Sequence, residues 1–249
     1  MLTINQLFFT LILYGVGVLI VGVALYPSFL FVAQVWTESR HVVISFRLLI
    51  LSIAVAAAYF IFGVCLMLFV GVFRTVFKIR LREGEHSIGS PAMVEWMFYN
   101  ALFLLVNTVF MDFMLLTPLV SFFYRLMGAQ VGSNVQINSK NVADHPLLTI
   151  GDRSVIGGNA TVICHSFERA GLKLKRVIIG KSVVVGLNAV ILPGVEIGDG
   201  AVVAAGAIVP KGTKIEPGTV YYGARKDFVD ASKNPGNGGN SSDSHRNLN

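Results

Sequence analysis

His165 and Glu168 stand three residues apart in Val162-Ile-Cys-His-Ser-Phe-Glu168, at the one place where a regular run of small and branched residues breaks. An imidazole titrates nearest neutrality of all side chains, so it is the natural base for taking a proton from a hydroxyl or an amine. A neighbouring carboxylate can fix its tautomer and stabilise the imidazolium that forms. Glu168 is therefore expected to orient or polarise His165. The residues alone leave a second reading open for each: a solvated loop histidine, and a charge that only starts a loop.

The pattern they interrupt has a period of six. From Ile179 the chain reads as gapless hexads, with Ile or Val first at 179, 185, 191, 197, 203, 209 and 215, and it ends at Tyr221. The second position is often Gly and the fifth is small or Val. Ile150 and Ile156 continue the pattern up to Val162, and an earlier copy from Val131 to Ile137 slips by one before Ile150. An amphipathic helix repeats every 3.6 residues, so this period excludes one. Each hexad fits a short strand and a turn, with the aliphatic pointing inward. Units this short bury a core only by stacking into a solenoid. Glu168 takes a position where an aliphatic is due, so Cys164–Arg176 reads as a loop expelled from one corner. Such loops on a rigid scaffold are favoured places for function.

A different chain precedes the repeats. The protein is 54% hydrophobic and only 14% charged, with a mean hydropathy of +0.67, against about 25% charged in soluble domains. Residues 1–37 carry no charged side chain, and the apolar run from Leu7 to Val35 exceeds the roughly 20 residues that cross a bilayer. It is too long, and lacks the basic start, for a signal peptide. A second span, about Val42 to Phe73, ends in a basic cluster, Arg74, Lys78, Arg80 and Arg82. Such a cluster is expected on the cytoplasmic side. The third apolar stretch, Met93 to Tyr124, contains Glu95, Asn100, Asn107, Asp112 and Pro118. Those polar groups favour an interfacial or re-entrant segment bent at Pro118, with a third true span as the alternative. Cys65 and Cys164 have no metal or disulfide spacing. The net charge of +6 suits an anionic membrane surface or ligand, and no nucleic-acid partner is expected.

The hexads resemble those of the bacterial hexapeptide-repeat transferases, over about 95 residues. That resemblance implies a left-handed parallel β-helix in 128–226, which with the apolar spans gives a mixed fold: transmembrane α-helices in 1–127, the β-helix, and a tail over 227–249 whose Asn-, Gly- and Ser-rich composition reads as disordered. It also implies homotrimers with active sites between neighbouring β-helices. In maltose- and galactoside-type O-acetyltransferases a catalytic histidine sits just before the chain leaves the repeat, which His165 matches. An acceptor-binding aspartate lies seven residues before the glycine of an Ile-Gly-Asp, which Asp144 matches relative to Gly151. Asn138 or Asn141 corresponds to an acceptor-contacting asparagine. The stretches "LLTIGDRSVIGGNATVICHSFERAGLKL" and "FFYRLMGAQVGSNVQIN" also resemble the membrane-embedded tandem C-terminal domains of poly-lysine-type peptide synthetases. Here there is one copy, and a trimer would replace the tandem.

For the donor, the resemblance implies acetyl-CoA or another acyl-CoA. Its pantetheine arm would lie along Gly186 and Ala204-Ala205-Gly206, although tight solenoid corners need small residues equally. Lys211, Lys214, Arg225 and Lys226 are candidate phosphate partners or simply solvated charges. His145, beside Asp144, is a rival base, but alternation along a strand should turn it the opposite way. The leading expectation is a membrane-anchored acyltransferase in the bacterial inner membrane. Its β-helix would face the cytoplasm, and its acceptor would be membrane-associated, such as a lipid-linked sugar or surface polysaccharide precursor. The alternatives are a transferase using a carrier-protein thioester and a non-catalytic trimeric scaffold. A zinc-dependent carbonic anhydrase would need three histidine ligands, and the repeats offer only His145 and His165, so no metal is expected.

Overall fold

The structure is a computed structural model that describes residues 4–169 and 171–223; the expected tail, Arg225 and Lys226 lie outside the described residues. The chain opens with two long apolar helices, α1 (Ile4–Glu38) and α2 (Ile44–Val76), joined by a short 3₁₀ turn at Ser39–His41. Both are long and apolar enough to cross a membrane, with mean hydropathies of 2.5 and 2.6.

The third apolar stretch is three helices: α3 (Pro91–Val109), α4 (Met111–Met114) and α5 (Pro118–Leu126). The capping explains the breaks. Ser90 accepts the Met93 N–H and Thr117 accepts the Leu119 N–H, and each precedes a proline at the first helical position. Pro118 thus starts a helix. The α3 helix also meets the length and composition of a span, but its mean hydropathy is only 1.3. Two of its polar residues are partnered: Asn100 donates to the Trp96 carbonyl, and Glu95 accepts the Arg80 N–H.

From Gln130 the chain winds through three parallel sheets. Successive coils pair residues 18 apart, as in Val184↔Val202, Val190↔Ile208 and Glu196↔Lys214, which is three hexads per coil. All seven first-position aliphatics, Ile179 to Ile215, are buried, with Val183, Ala189, Val195, Ala201 and Ala207 beside them. The step is 19 in the first coil (Gln136↔Val155), the one-residue slip seen in the sequence. It becomes 29 across the interruption (Val155↔Val184), so eleven extra residues leave the solenoid there.

Those residues form a hairpin rather than a loop. His165–Glu168 pairs antiparallel with Gly171–Leu174, and the strand Gly84–His86 adds to its edge. Two surface ion pairs, Lys173–Glu85 at 2.6 Å and Arg176–Glu83 at 2.9 Å, flank that edge. One hydrophobic cluster is continuous from Leu66 of α2 through Tyr99, Phe103 and Tyr124 to Ile137, Val142 and Val162 of the first coils. The helices and the solenoid are therefore packed as a single body.

The fourth residue of each hexad turns the corner in the left-handed region, from Ser182 and Asn188 to Gly194 and Gly206. Second-position glycines answer to a different constraint. A Cβ on Gly186 would lie 2.5 Å from the Ala205 nitrogen, a backbone atom of the next coil that cannot swing aside. Gly186→Ala is expected to cost about 1–3 kcal/mol, the usual penalty of overpacking. A lowered thermal midpoint of the detergent-solubilised protein checks this; an unchanged midpoint would mean that the coils separate freely.

Candidate active site

Asp144 occupies the left-handed region (φ 57°, ψ 42°) just before a 3₁₀ turn at His145–Leu147. That conformation is tolerated by Asp more readily than by most residues. It drives the carboxylate into the interior, where the residue is 0% exposed. Three donors meet it there. Oδ1 accepts the Trp96 Nε1–H at 2.8 Å; Oδ2 accepts the Cys164 N–H at 3.0 Å and lies 2.6 Å from His165 Nδ1. Burial alone would push the carboxyl up, but the hydrogen bond and charge of His165, with the Trp96 and Cys164 donors, hold it below its ordinary value. Asp144 is therefore an anion, and an anion only accepts. His165 must present Nδ1–H to it, which leaves the lone pair on Nε2.

His165 keeps solvent access, with its side chain 23% exposed. Aromatic edges frame it: the Trp96 ring centre is 4.9 Å away and that of Phe167 6.3 Å away. Trp96 belongs to α3 and also lines a cleft of about 760 Å³ between α3 and the first coils. Asn100 and Asn107 form the helix wall of that cleft, and Lys140, Asn141 and Thr161 the coil wall. Trp96 is thus shared between the cleft and the surroundings of His165.

The other candidate residues sort by position. Glu168 does not reach His165, because an extended strand places residues three apart on opposite faces. Its carboxylate is 3.1 Å from Lys211 and 3.8 Å from Lys173, and Ser166 donates to it at 3.3 Å. The carboxylate beside His165 is Asp144, which the sequence reading had assigned to the acceptor. Lys211, a phosphate candidate, is engaged by Glu168, and Lys214 pairs with Glu196 at 2.9 Å. Asn138 is exposed and outside the cleft lining, whereas Asn141 lies within it. Ala205 and Gly206 are exposed on a corner of a later coil. Among the described residues no cluster of three or more His, Cys, Asp or Glu is arranged to hold a metal ion.

Two further groups near the site are inert. Cys164 is fully buried, and burial, reinforced by the Asp144 charge, raises its thiol well above the ordinary value. It is a protonated packing residue and no nucleophile. His145 points towards the helices, its Nδ1 2.8 Å from the Tyr99 hydroxyl and its ring against Phe103 and Tyr124. Burial lowers its pKa to about 3, which removes it as a rival base.

That burial has a consequence for stability. In the unfolded chain His145 takes up a proton below about pH 6.5, whereas in the folded state it stays neutral down to about pH 3. Across that window the unfolded chain binds more protons, so stability is lost as the pH is lowered, by about 1.4 kcal/mol per unit. The chemical-denaturation midpoint should drop between pH 6.5 and pH 5, and His145→Leu should flatten the slope. An equal slope in the variant would show that other groups carry it.

Trp96 is the site residue that sequence reasoning missed. Nothing in its spacing sets it apart from the apolar residues around it in α3. Only the packing of α3 on the first coil brings its indole to Asp144.

Residues 176–211 match a family model described as the hexapeptide repeat of succinyl-transferase. A delta-poly-L-ornithine synthetase of Acinetobacter baumannii is 29% identical over 76 residues, which are 30% of this chain and 6% of that protein. A hexapeptide-repeat acetyltransferase of Vibrio cholerae is 31% identical over 38% of this chain and 57% of its own, with a TM-score of 0.35. Its complex with acetyl coenzyme A gives 24% identity over 58% and 91%, with a TM-score of 0.43. A maltose O-acetyltransferase of Clostridium difficile gives 21% identity over 57% and 89%, with a TM-score of 0.39. The chain thus spans a small part of its curated relative and little over half of the first of these solved chains. The repeats of residues 176–211 carry the family resemblance, and they build the parallel coil described above.

Proposed function

We propose that the chain is a membrane-anchored acyltransferase that moves an acetyl group from acetyl-CoA to a hydroxyl or amine of a membrane-associated acceptor. The observation that carries this reading is the His165–Asp144 pair, 2.6 Å apart at the edge of an open cleft. His165 Nε2 takes the proton of the acceptor as its oxygen or nitrogen attacks the thioester carbonyl. The tetrahedral intermediate then collapses, the carbon–sulfur bond breaks, and the CoA sulfur leaves with the proton held on His165. Asp144 stabilises the imidazolium between these steps. Glu168 acts at a distance from this chemistry, tying Lys173 of the hairpin to Lys211 of a later coil.

The donor would lie along the later coils, near Gly186, Ala205, Gly206 and Lys211. In this reading the coil is left-handed and the chain assembles as a homotrimer. Val155, Val184, Val202 and Val220 form an outward apolar ladder down one sheet, which a second copy would cover. In this reading the helices sit in the bacterial inner membrane, and the basic residues at and after the end of α2 support a coil on the cytoplasmic side. The likeness to the ornithine-polymer synthetase favours one alternative donor, a carrier-protein thioester. Acceptor-dependent thiol release from acetyl-CoA by the solubilised protein, tested on a panel of alkyl glycosides and amines, is the experiment. Saturable release supports the reading. Absence of both release and acetyl-CoA binding would leave a scaffold or the carrier-protein donor.

A further inference from the structure

The polar cleft beside His165 is not isolated. On the other side of α3 an apolar groove of about 780 Å³ runs between α1 and α3. Its walls include Val16, Gly17, Val21 and Gly22 of α1 and Phe98 and Leu105 of α3. The groove follows α1 from Leu13 to Leu25, about 18 Å of helix axis. Ala101 and Leu104 line the groove and the cleft alike. Leu104 is exposed and Ala101 is small, so the two cavities meet over a low ridge.

The polar end carries an independent sign of a missing partner. The side-chain oxygen of Asn107 is buried on the cleft wall and has no hydrogen-bond partner. A buried acceptor left unpaired costs free energy, and a hydroxyl or amine donor in the cleft would satisfy it. Asn141 adds a second amide on the facing wall. A site with an apolar trough at one end and amide groups at the other fits a molecule divided in the same way.

We infer that the α1–α3 groove holds the apolar chain of an amphipathic acceptor, whose polar head enters the cleft at Asn107 and Asn141 within reach of His165. This rests on the acyl-transfer reading of His165 and specifies the acceptor class: a head group with hydroxyl or amine donors on a long alkyl or prenyl chain. The groove has no polar wall to bind a free sugar, and a free sugar would leave it empty.

The glycines of α1 provide the test. A Cβ at Gly15, Gly17 or Gly22 would meet nothing within 4 Å, so larger residues fit there without a clash. Gly17 and Gly22 line the groove, while Gly15 is exposed on the same helix outside it. The probe is dodecyl β-D-glucoside carrying a diazirine at its chain end, photolysed with the solubilised protein, with the labelled peptides mapped by mass spectrometry. Labels on the groove residues of both α1 and α3 are expected. Gly17→Leu and Gly22→Leu should each lower them about tenfold, with Gly15→Leu labelled as the unsubstituted protein. Labels spread evenly over the outer faces of α1 and α2, or unchanged in both filled-groove variants, would overturn the inference. Thermal midpoints of the three variants exclude misfolding as the cause. Labelling needs no turnover, so its failure would leave the role of His165 standing, and thiol release independent of His165 would leave the groove standing.

Discussion

Replacing His165 with alanine is expected to lower acceptor-dependent thiol release by about 10²–10⁴-fold, the usual contribution of a positioned general base. The loss should fall on kcat, because the imidazole acts as the proton moves rather than when the acceptor docks. The fold should survive. His165 sits on a hairpin outside the solenoid core with its side chain partly open to solvent, so the thermal midpoint should shift little. An acceptor that is already anionic needs no base, and its turnover should be spared in the variant. Undiminished turnover of a neutral acceptor would exclude His165 as the base.

Asp144→Asn should have an effect at the upper end of that range, about 10⁴-fold on kcat, by analogy with the orienting aspartate of a catalytic triad. The amide is nearly isosteric but has one oxygen, so it can accept from Trp96 or from Cys164 and not from both. Charge and donor pattern change as well. An amide NH₂ turned to His165 would force the ring to place its proton on Nε2, where no base remains. An amide oxygen turned the same way would keep the tautomer but lose the negative charge that stabilises the imidazolium. Asp144→Ala is the less informative variant. It leaves the Cys164 N–H, 3.0 Å from Oδ2 in the native protein, without a partner in a buried site. Each such orphan costs about 1–3 kcal/mol, so lost activity would be mixed with lost fold.

Much of the solenoid is legible in the sequence because its rule is local. One aliphatic per six residues must face the interior of a coil, and Ile179 to Ile215 do so without exception. The slip before Ile150 is visible for the same reason, since it breaks a count. The hairpin was harder to see. His165–Glu168 and Gly171–Leu174 are only four residues each, and the strand that extends them, Gly84–His86, comes from before α3. No local pattern reports a pairing over that distance.

The site was half legible. His165 stands out because it interrupts the repeat, and Asp144 because of its place before Gly151. Their relation does not follow from spacing. It depends on the left-handed backbone at Asp144, which turns the carboxylate inward to Cys164 and His165. Glu168 is closer in sequence, but the extended strand puts it on the other face, beside Lys211. Trp96 was invisible because its partner lies 48 residues away in the first coil. The α3 helix is thus part of the site.

The pair is proposed to act as one unit, and the double variant His165→Ala with Asp144→Asn tests that most directly. Acceptor-dependent thiol release from acetyl-CoA should be as slow in the double variant as in His165→Ala alone, because an orienting carboxylate has no effect once its imidazole is gone. A double variant slowed by the product of the two single losses would contradict the proposal, showing that Asp144 and His165 contribute to turnover independently.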